Sequence, residues 1–334
     1  GAPLAPGGVA ASRVPRLPRA GRRSRIRCRP VPRTVAVGTP VSTSFEFLGH
    51  SVPAQLTYLI LNVFTVGDDP FSGNPLCVFE DAKGLTDAQM QGLARQLNLS
   101  ETTFVALGDG DATATVRIFT PTFEMPFAGH PTLGTAHVVR DLLGAGDALV
   151  LRMPAGEIAV RAEGSTWTLQ ANTPTTRETA VSVADLARTV GLPTSSLAAQ
   201  PLWVNTGVEQ LVIPLRSAED VRAAQPDPRL LREFGTGIDG ESQVYIWAPA
   251  GAESIESRFL FMQGNAAIED PATGSACANL GGWFLANGEL GIRRRIHQGS
   301  AIQRPSVLDL TVDHKGTIFV TGTVRQVGRG TFEI

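Results

Sequence analysis

The sequence predicts an α+β protein made of two similar units, each with a mixed or antiparallel sheet. A pattern of the form E-x-P-x-x-G-polar occurs twice, at residues 124–130 and 269–275, and the copies lie 145 positions apart. An internal repeat of this length indicates two related halves of ordinary domain size. Predicted strands also outnumber predicted helices and are mostly joined by short turns, which disfavours a doubly wound parallel sheet.

The charge distribution along the 334-residue chain is uneven. Residues 1–45 contain nine arginines and no acidic residue, so the remainder has a net charge of −11. Because nucleic-acid binding needs a basic surface, we expect none. No apolar run approaches the about 20 residues of a membrane span, so no membrane partner is expected. The three cysteines form no close pair, which indicates neither a disulfide framework nor a metal site and fits a reducing compartment.

The Arg- and Pro-rich leader, residues 1–55, is predicted to be disordered because it lacks periodic apolar positions. It has the composition of a plastid-type transit peptide, and equally that of a tag remnant or a misassigned start. We expect a cytoplasmic protein, or a plastid or mitochondrial one if the leader is a targeting signal. The N-terminal unit is placed at 56–174, completed by residues 324–334, and the C-terminal unit at 175–323.

In the first unit, residues 56–64 and 76–79 form predicted strands around turn-forming residues 68–75. The next helix begins at Thr86, whose side chain closes a capping box with Gln89, and ends at Asn98 in a left-handed conformation. The first pattern copy opens a helix that ends at Gly144. Strands are predicted at 103–107, 113–119, 148–153, 157–162 and 166–170.

The second unit repeats this plan. Helices are predicted at 183–190, 218–223, 228–234 and 276–286. Strands are predicted at 202–205, 210–214, 244–248, 257–262, 307–312, 317–321 and 323–327.

Each pattern copy places a glycine, Gly129 or Gly274, at the start of a helix. The first amides of a helix lack intrahelical partners, and the helix dipole adds a partial positive charge there. If the two units face each other, both helix starts converge on one cleft suited to a carboxylate and a charge-delocalised intermediate. The simpler alternative is that Gly-His-Pro and Gly-Ser are ordinary helix caps.

Four polar side chains are candidates for chemistry. Glu101 precedes an apolar strand, where burial would raise its pKa and make it a proton shuttle, although a solvated loop glutamate is the simpler interpretation. His130 could relay a proton or be an ordinary turn residue. Asp270 could assist proton transfer or belong to a turn, and Ser275 could bind substrate or cap its helix.

Several common enzyme classes lack their motifs here. The sequence contains no G-x-S-x-G nucleophile elbow, no Walker loop, no dinucleotide fingerprint and no H-x-x-x-H zinc pair. We therefore expect neither a cofactor nor a metal.

Several motifs together resemble the PhzF-like (phenazine biosynthesis-like) proteins of the diaminopimelate-epimerase superfamily. The matching stretches run in order from about residue 57 to the C-terminus: F-S-G-N-P at 71–75, L-S-E-T at 99–102, R-I-F-T-P at 117–121, P-F-A-G-H-P-T at 126–132, E-D-P-A-T-G-S-A at 269–276, Q-G at 298–299 and R-P-S at 304–306.

The resemblance implies two similar domains, each with a sheet curled around a central helix, and an active site in the cleft between them. It also implies a homodimer and cofactor-free isomerisation of a small carboxylate-bearing metabolite. Glu101 would then be the general acid/base that removes and returns a proton, helped by His130 and Asp270. The expected substrate-binding residues are Ser100, Gly129, Gly274, Ser275 and Asn74.

Related racemases use two thiols, one at each helix start, and neither copy of the pattern contains one. Cys277 lies within the second helix without a thiol counterpart in the first. A single carboxylate shuttle therefore favours double-bond isomerisation. The alternatives are a non-catalytic ligand-binding or regulatory protein on the same fold and an amino-acid racemase or epimerase.

Overall fold

The computed structural model describes residues 55–108 and 112–334, all within one compact unit. Apart from Gln55, the predicted disordered leader lies outside the described residues. Within them, the six helices are α1 (Asp87–Leu97), α2 (Gly129–Leu143), α3 (Val183–Thr189), α4 (Ala218–Ala223), α5 (Pro228–Phe234) and α6 (Gly274–Ala286).

Seventeen strands are found in the same residues. In the first half these are β1 (Gln55–Val63), β2 (Asn74–Phe79), β3 (Glu101–Leu107), β4 (Ala114–Phe119), β5 (Glu124–Met125), β6 (Ala148–Met153), β7 (Gly156–Glu163) and β8 (Thr166–Gln170). In the second half they are β9 (Thr175–Glu178), β10 (Leu202–Asn205), β11 (Glu209–Pro214), β12 (Gln243–Pro249), β13 (Ser254–Gln263), β14 (Ala266–Asp270), β15 (Ile292–Gln298), β16 (Ser306–Val312) and β17 (Ile318–Glu333).

The strands of the first half close into a ring around α2. The hydrogen-bonded order is β1-β2-β3-β4-β6-β7-β8-β17, and β17 pairs with β1 again. Helix α2 packs against seven of these eight strands. Ten of its 15 residues are buried, including Gly134, Thr135 and Ala136, and these small side chains let the strands approach it closely.

The second half has the same topology. Its strands run β9-β10-β11-β12-β13-β15-β16-β17, and α6 packs against β9, β10, β11, β16 and β17. Parallel strand pairs occur at equivalent places in the two halves. The pair β2–β3 corresponds to β11–β12, and the pair β4–β6 corresponds to β13–β15. The structure thus confirms the α+β class and the central helix in each sheet.

The chain crosses between the halves twice. After β8, strand β9 pairs with β10, and the end of β17 returns to pair along the whole of β1, from Gln55 opposite Glu333 to Val63 opposite Val324. The division into domains at 56–174 with 324–334, and at 175–323, stays a prediction.

The local signals behave as the sequence indicates. Thr86 forms the capping box with Gln89, and Asn98 and Gly144 end their helices with positive φ. The glutamate of each pattern copy has a structural role. Glu124 pairs with Arg117, and Glu269 pairs with Arg258, so each ion pair holds a short return strand against β4 or β13.

Several sequence-based expectations differ from the structure, since strands β5, β9 and β14 were not predicted. The strands predicted at 317–321 and 323–327 are one continuous strand, because Gly322 forms no turn and instead lies under the ring of Phe64. No strand was predicted at β15, because Arg293, Arg294 and Arg295 separate its two buried isoleucines, Ile292 and Ile296, and make the segment look polar.

The packing of Phe64 against Gly322 gives a stability prediction. A Cβ at Gly322 would lie 2.0 Å from Phe64 Cδ1, whereas one at Gly328 on the same strand would meet nothing closer than 3.5 Å. We expect Gly322→Ala to lower the free energy of unfolding by about 1–3 kcal/mol, the usual cost of overpacking. Urea denaturation with Gly328→Ala as the matched control tests this. Equal stability of the two variants would contradict it.

Candidate active site

The two central helices begin in direct contact. A Cβ at Gly129 would lie 3.2 Å from the Cα of Gly274, and one at Gly274 would lie 3.3 Å from the Cα of Gly129. Any side chain at either position would push the helices apart. The glycine of the repeat therefore serves the close approach of two helix starts, as the sequence suggests for facing units.

Neither helix start is capped by a side chain. Ala128 precedes α2, and Thr273 precedes α6, but neither makes a capping hydrogen bond. The Thr273 hydroxyl donates to Asp270 instead. The first amides of both helices are thus left for another acceptor, which favours the anion-binding interpretation over ordinary capping.

Glu101 lies beside His130 at this junction. Glu101 is the first residue of β3, and its side chain is only 15% exposed. Its Oε2 lies 3.3 Å from Nε2 of His130, and neither atom has a hydrogen-bond partner among the described residues. Two unpartnered polar atoms are costly in a buried site, so their retention indicates a functional role.

Burial controls the protonation of this pair. Desolvation, followed by the negative charge of Asp270, raises the pKa of Glu101 to about 8. Desolvation lowers the pKa of His130 to about 3, which a hydrogen bond with the backbone of Pro75 partly opposes. Near neutral pH, Glu101 therefore holds a proton and His130 is neutral.

Asn74 holds Asp270 in place by a hydrogen bond. The Asn74 Nδ2 donates to Asp270 Oδ1 and to the carbonyl of Ala272, both at 2.9 Å, and lies 3.3 Å from Nδ1 of His130. Burial raises the pKa of Asp270 to about 6, opposed by hydrogen bonds from Thr273 and Asn74. Asn74 is fully buried and does not line the cleft, so it positions the acid and the histidine from behind.

The second half presents different side chains at the equivalent positions. The strand register in each half can be followed from the repeat glutamate, across the strand it pairs with, to the next strand. In this register Glu101 on β3 occupies the position equivalent to that of Gln243 on β12. Ser275 likewise takes the place of His130 in the repeat. The Ser275 Oγ accepts a hydrogen bond from Gln210 Nε2 at 3.0 Å. The backbone is repeated, but only the first half carries the acid and the imidazole.

A cleft of about 580 Å³ opens above this junction. Its floor includes Ser100, Glu101, Gly129, His130, Asp270, Gly274 and Ser275. Its walls carry apolar side chains from both halves, namely Leu99, Phe123, Met125, Phe127, Phe259, Phe261, Met262 and Ile268. The lining contains no lysine or arginine. An anion entering this cleft would meet backbone amides and hydroxyl groups rather than a fixed cation.

The comparison with known proteins agrees with this arrangement. Residues 61–329 match the model of the PhzC-PhzF family, described as phenazine biosynthesis-like protein. The chain belongs to this family. An uncharacterized isomerase of Pasteurella multocida is 41% identical over 82% of the chain and 92% of its own length. The trans-2,3-dihydro-3-hydroxyanthranilate isomerase of Pseudomonas fluorescens is 35% identical over 82% and 98%.

Solved structures show the same architecture. A PhzF-family protein of Bacillus anthracis superposes with a TM-score of 0.74 at 22% identity, covering 84% of this chain and 99% of that one. A hydroxyproline epimerase of Agrobacterium vitis shares the fold at a TM-score of 0.56 and 11% identity, over 84% and 93%. These structures show that the PhzF-like protein has the epimerase-like fold, and its relatives of 41% and 35% identity show that it is an isomerase.

The two thiols of the described residues lie away from the cleft. Cys277 is buried within α6, and burial raises its pKa above the ordinary thiol range. Cys77 is buried on β2, with its pKa raised to about 12. Neither lines the cleft. In residues 55–108 and 112–334, no cluster of three or more His, Cys, Asp or Glu side chains is arranged to hold a metal ion.

Within the described part of the chain, every helix is too short or too polar to cross a lipid bilayer.

Sequence reasoning brought together the residues of the helix starts but missed part of the second half. Gln210 and Gln243 carry no motif, and only the strand register shows that Gln243 is the counterpart of Glu101, with Gln210 hydrogen-bonded to it. The apolar walls were missed too, because Phe259 and Phe261 look like ordinary strand residues until the cleft is seen.

The raised pKa of Glu101 predicts a pH dependence of stability. Between pH 6.5 and 8 the folded state holds a proton on Glu101 that the unfolded state has lost, so stability falls as pH rises, by at most about 2 kcal/mol. Asp270 has lost most of its proton below this window, and the proton that unfolded His130 loses near pH 6.5 opposes the decline by at most about 0.4 kcal/mol, in the wild type and in Glu101→Gln alike. Urea denaturation across it should show this decline in the wild type and none in Glu101→Gln. A flat wild-type profile would contradict the assignment.

Proposed function

We propose that this protein is a cofactor-independent isomerase that moves a proton along a small, unsaturated, cyclic carboxylate, with Glu101 as the general acid/base. One observation carries the proposal: Glu101 lies buried in the cleft with an unpartnered Oε2 and a pKa near 8. Such a group exchanges its proton close to neutral pH, which is what a shuttle requires.

The cleft suits a ring that carries a carboxylate. With no cationic side chain in the lining, the substrate carboxylate is bound by the free amides at Gly129 and Gly274 and by the Ser275 hydroxyl. The apolar walls pack against the ring. The activity for which the Pseudomonas fluorescens relative is named makes trans-2,3-dihydro-3-hydroxyanthranilate the first substrate to test.

The reaction needs one group that both accepts and returns a proton. The ionised Glu101 removes a proton from a ring carbon, and the remaining electron pair is delocalised through the conjugated system into the carboxylate. The amides of α2 and α6 stabilise this added negative charge. Protonated Glu101 then returns the proton to another ring carbon, which shifts the double bond and restores the enzyme.

His130 and Asp270 support this step from fixed positions. Neutral His130 places Nε2 against the Glu101 carboxyl, and the ionised Asp270 keeps the pKa of Glu101 high through its charge. A basic Glu101 accepts the substrate proton more readily. Ser100 borders the same cleft, and we expect its hydroxyl to contact the substrate.

Two other functions remain as alternatives. A ligand-binding or regulatory protein would bind the same carboxylate without turnover, and the relatives named as isomerases do not favour it. A racemase would need a second proton carrier, and the buried position of Cys277 does not favour one. From the family resemblance we also propose a small-molecule partner and a homodimer. From the composition of the leader we propose a cytoplasmic or organellar location.

Replacing the proton carrier should abolish turnover but keep binding. We expect Glu101→Gln to lower kcat by about 10²–10⁴-fold, the range for general acid–base catalysis, and to remove deuterium incorporation from deuterated buffer. The assay follows trans-2,3-dihydro-3-hydroxyanthranilate by absorbance and mass spectrometry, with Glu233→Gln on exposed helix α5 as control. Unimpaired turnover by Glu101→Gln would refute the proposal.

The pH–rate profile should report the same group. Because the first step requires ionised Glu101, kcat/KM should rise with pH and level off above about 8. The profile is measured on the free enzyme at low substrate concentration. A kcat/KM that is constant from pH 6 to 9 would show that another group removes the proton.

A further inference from the structure

A buried chain of amide side chains lies behind Ser275. Gln210 on β11 is 1% exposed, and Asn279, one turn after Ser275 on α6, is fully buried. Asn279 Nδ2 donates to Gln210 Oε1 at 2.8 Å and to the carbonyl of Val208 at 2.9 Å. Gln210 Nε2 donates to Ser275 Oγ at 3.0 Å and to Gln243 Oε1 at 3.2 Å. Every polar atom of both amides is used.

The direction of every hydrogen bond in this chain follows from one backbone group. The N–H of Thr206 can only donate, and it donates to Asn279 Oδ1 at 2.9 Å. The other end of Asn279 must therefore be its Nδ2, which faces Gln210 Oε1. The Nε2 of Gln210 then faces Ser275 Oγ, so Ser275 accepts from below and its own O–H is free to donate into the cleft.

The same chain orients a second donor. Gln243 lines the cleft, and its Oε1 already accepts from Gln210. Its remaining polar end is Nε2, which has no hydrogen-bond partner among the described residues. The wall of the second half thus offers hydrogen-bond donors, at the position where the first half holds its acid.

The fold itself does not require this polar chain. The equivalents of Gln210 and Asn279 in the first half are Leu76 and Gly134, which pack together without polar atoms. A Cβ at Gly134 would lie 2.5 Å from Leu76 Cδ2. A buried amide network in only one of two similar halves, and in contact with the cleft there, points to a role in the site.

We propose that Gln210 and Asn279 are positioning residues that hold Ser275, and with it Gln243, as hydrogen-bond donors to an acceptor oxygen of the substrate. The acceptor is a carboxylate or the enolate formed from it, so this inference rests on the proposed function. The chain of amide side chains therefore favours binding of substrates that present an oxygen atom able to accept hydrogen bonds here, and disfavours substrates that present a donor group.

Double-mutant coupling tests the chain with anthranilate, a stable cyclic carboxylate, as the probe in calorimetry. Ser275→Ala should weaken binding about 10- to 100-fold, the range for one hydrogen bond to a charged group. Gln210→Met should weaken it about 5- to 10-fold. The double variant should bind within about 3-fold of Ser275→Ala alone, since without the Ser275 hydroxyl Gln210→Met removes only the orientation of Gln243. Asn287→Ala, which removes an amide from the far end of α6, serves as control.

Gln210→Glu gives a sharper contrast at the same position. A carboxylate there accepts from Ser275, which turns the hydroxyl away from the ligand. Binding should then fall at least as far as in Ser275→Ala. Equal affinities for Gln210→Glu and the wild type, or independent effects in the double variant, would overturn the proposal. So would a wild type that does not bind anthranilate at millimolar concentration.

Neutron diffraction on the unliganded wild type tests the polarity without any variant that could fail to fold. The expected map places both deuterons of Gln210 Nε2 toward Ser275 Oγ and Gln243 Oε1, and the Ser275 deuteron toward the cleft. A Ser275 deuteron on the line to Gln210 would overturn the proposal. These measurements do not involve turnover, so an inactive enzyme with intact coupling would refute only the proposed function.

Discussion

The contact between two helix starts is the constraint on which the rest of the structure depends. At Gly129 and Gly274 the backbones of α2 and α6 approach so closely that a Cβ on either would meet the other glycine. The two halves can meet in this way only because the central helix of each begins with a glycine. The contact in turn leaves the first amides of both helices beside one cleft, and we propose that they bind an anion there without any cationic side chain.

Repetition of the backbone combined with divergence of the side chains explains how one cleft performs two tasks. The first half places Glu101 against His130, and desolvation gives the acid its raised pKa. The second half places the uncharged Gln243 and Ser275 at the same positions, where we propose that they donate hydrogen bonds to the substrate. The repeat glutamates are structural, since Glu124 and Glu269 hold their strands through Arg117 and Arg258.

Much of the fold could be predicted because local signals agree with the tertiary structure. The capping box at Thr86 and the left-handed stop at Asn98 are decided within a few residues, and the repeat indicated the facing helix starts. Strand β15 and the continuity of β17 depend on partners far along the chain. The burial of Glu101 could not be decided from its neighbours in sequence, because the cleft around it is lined by both halves and the charge of Asp270, which opposes its ionisation, comes from the second half.

The most direct test of this account is the structure of the complex with anthranilate. We expect the carboxylate to accept hydrogen bonds from the first amides of both α2 and α6 and from Ser275 Oγ, with the ring between Phe127 and Phe259 and a ring carbon next to Glu101. A carboxylate bound at only one helix start, or held outside the cleft by surface arginines such as Arg293, would contradict the claim that the paired helix starts form the anion site.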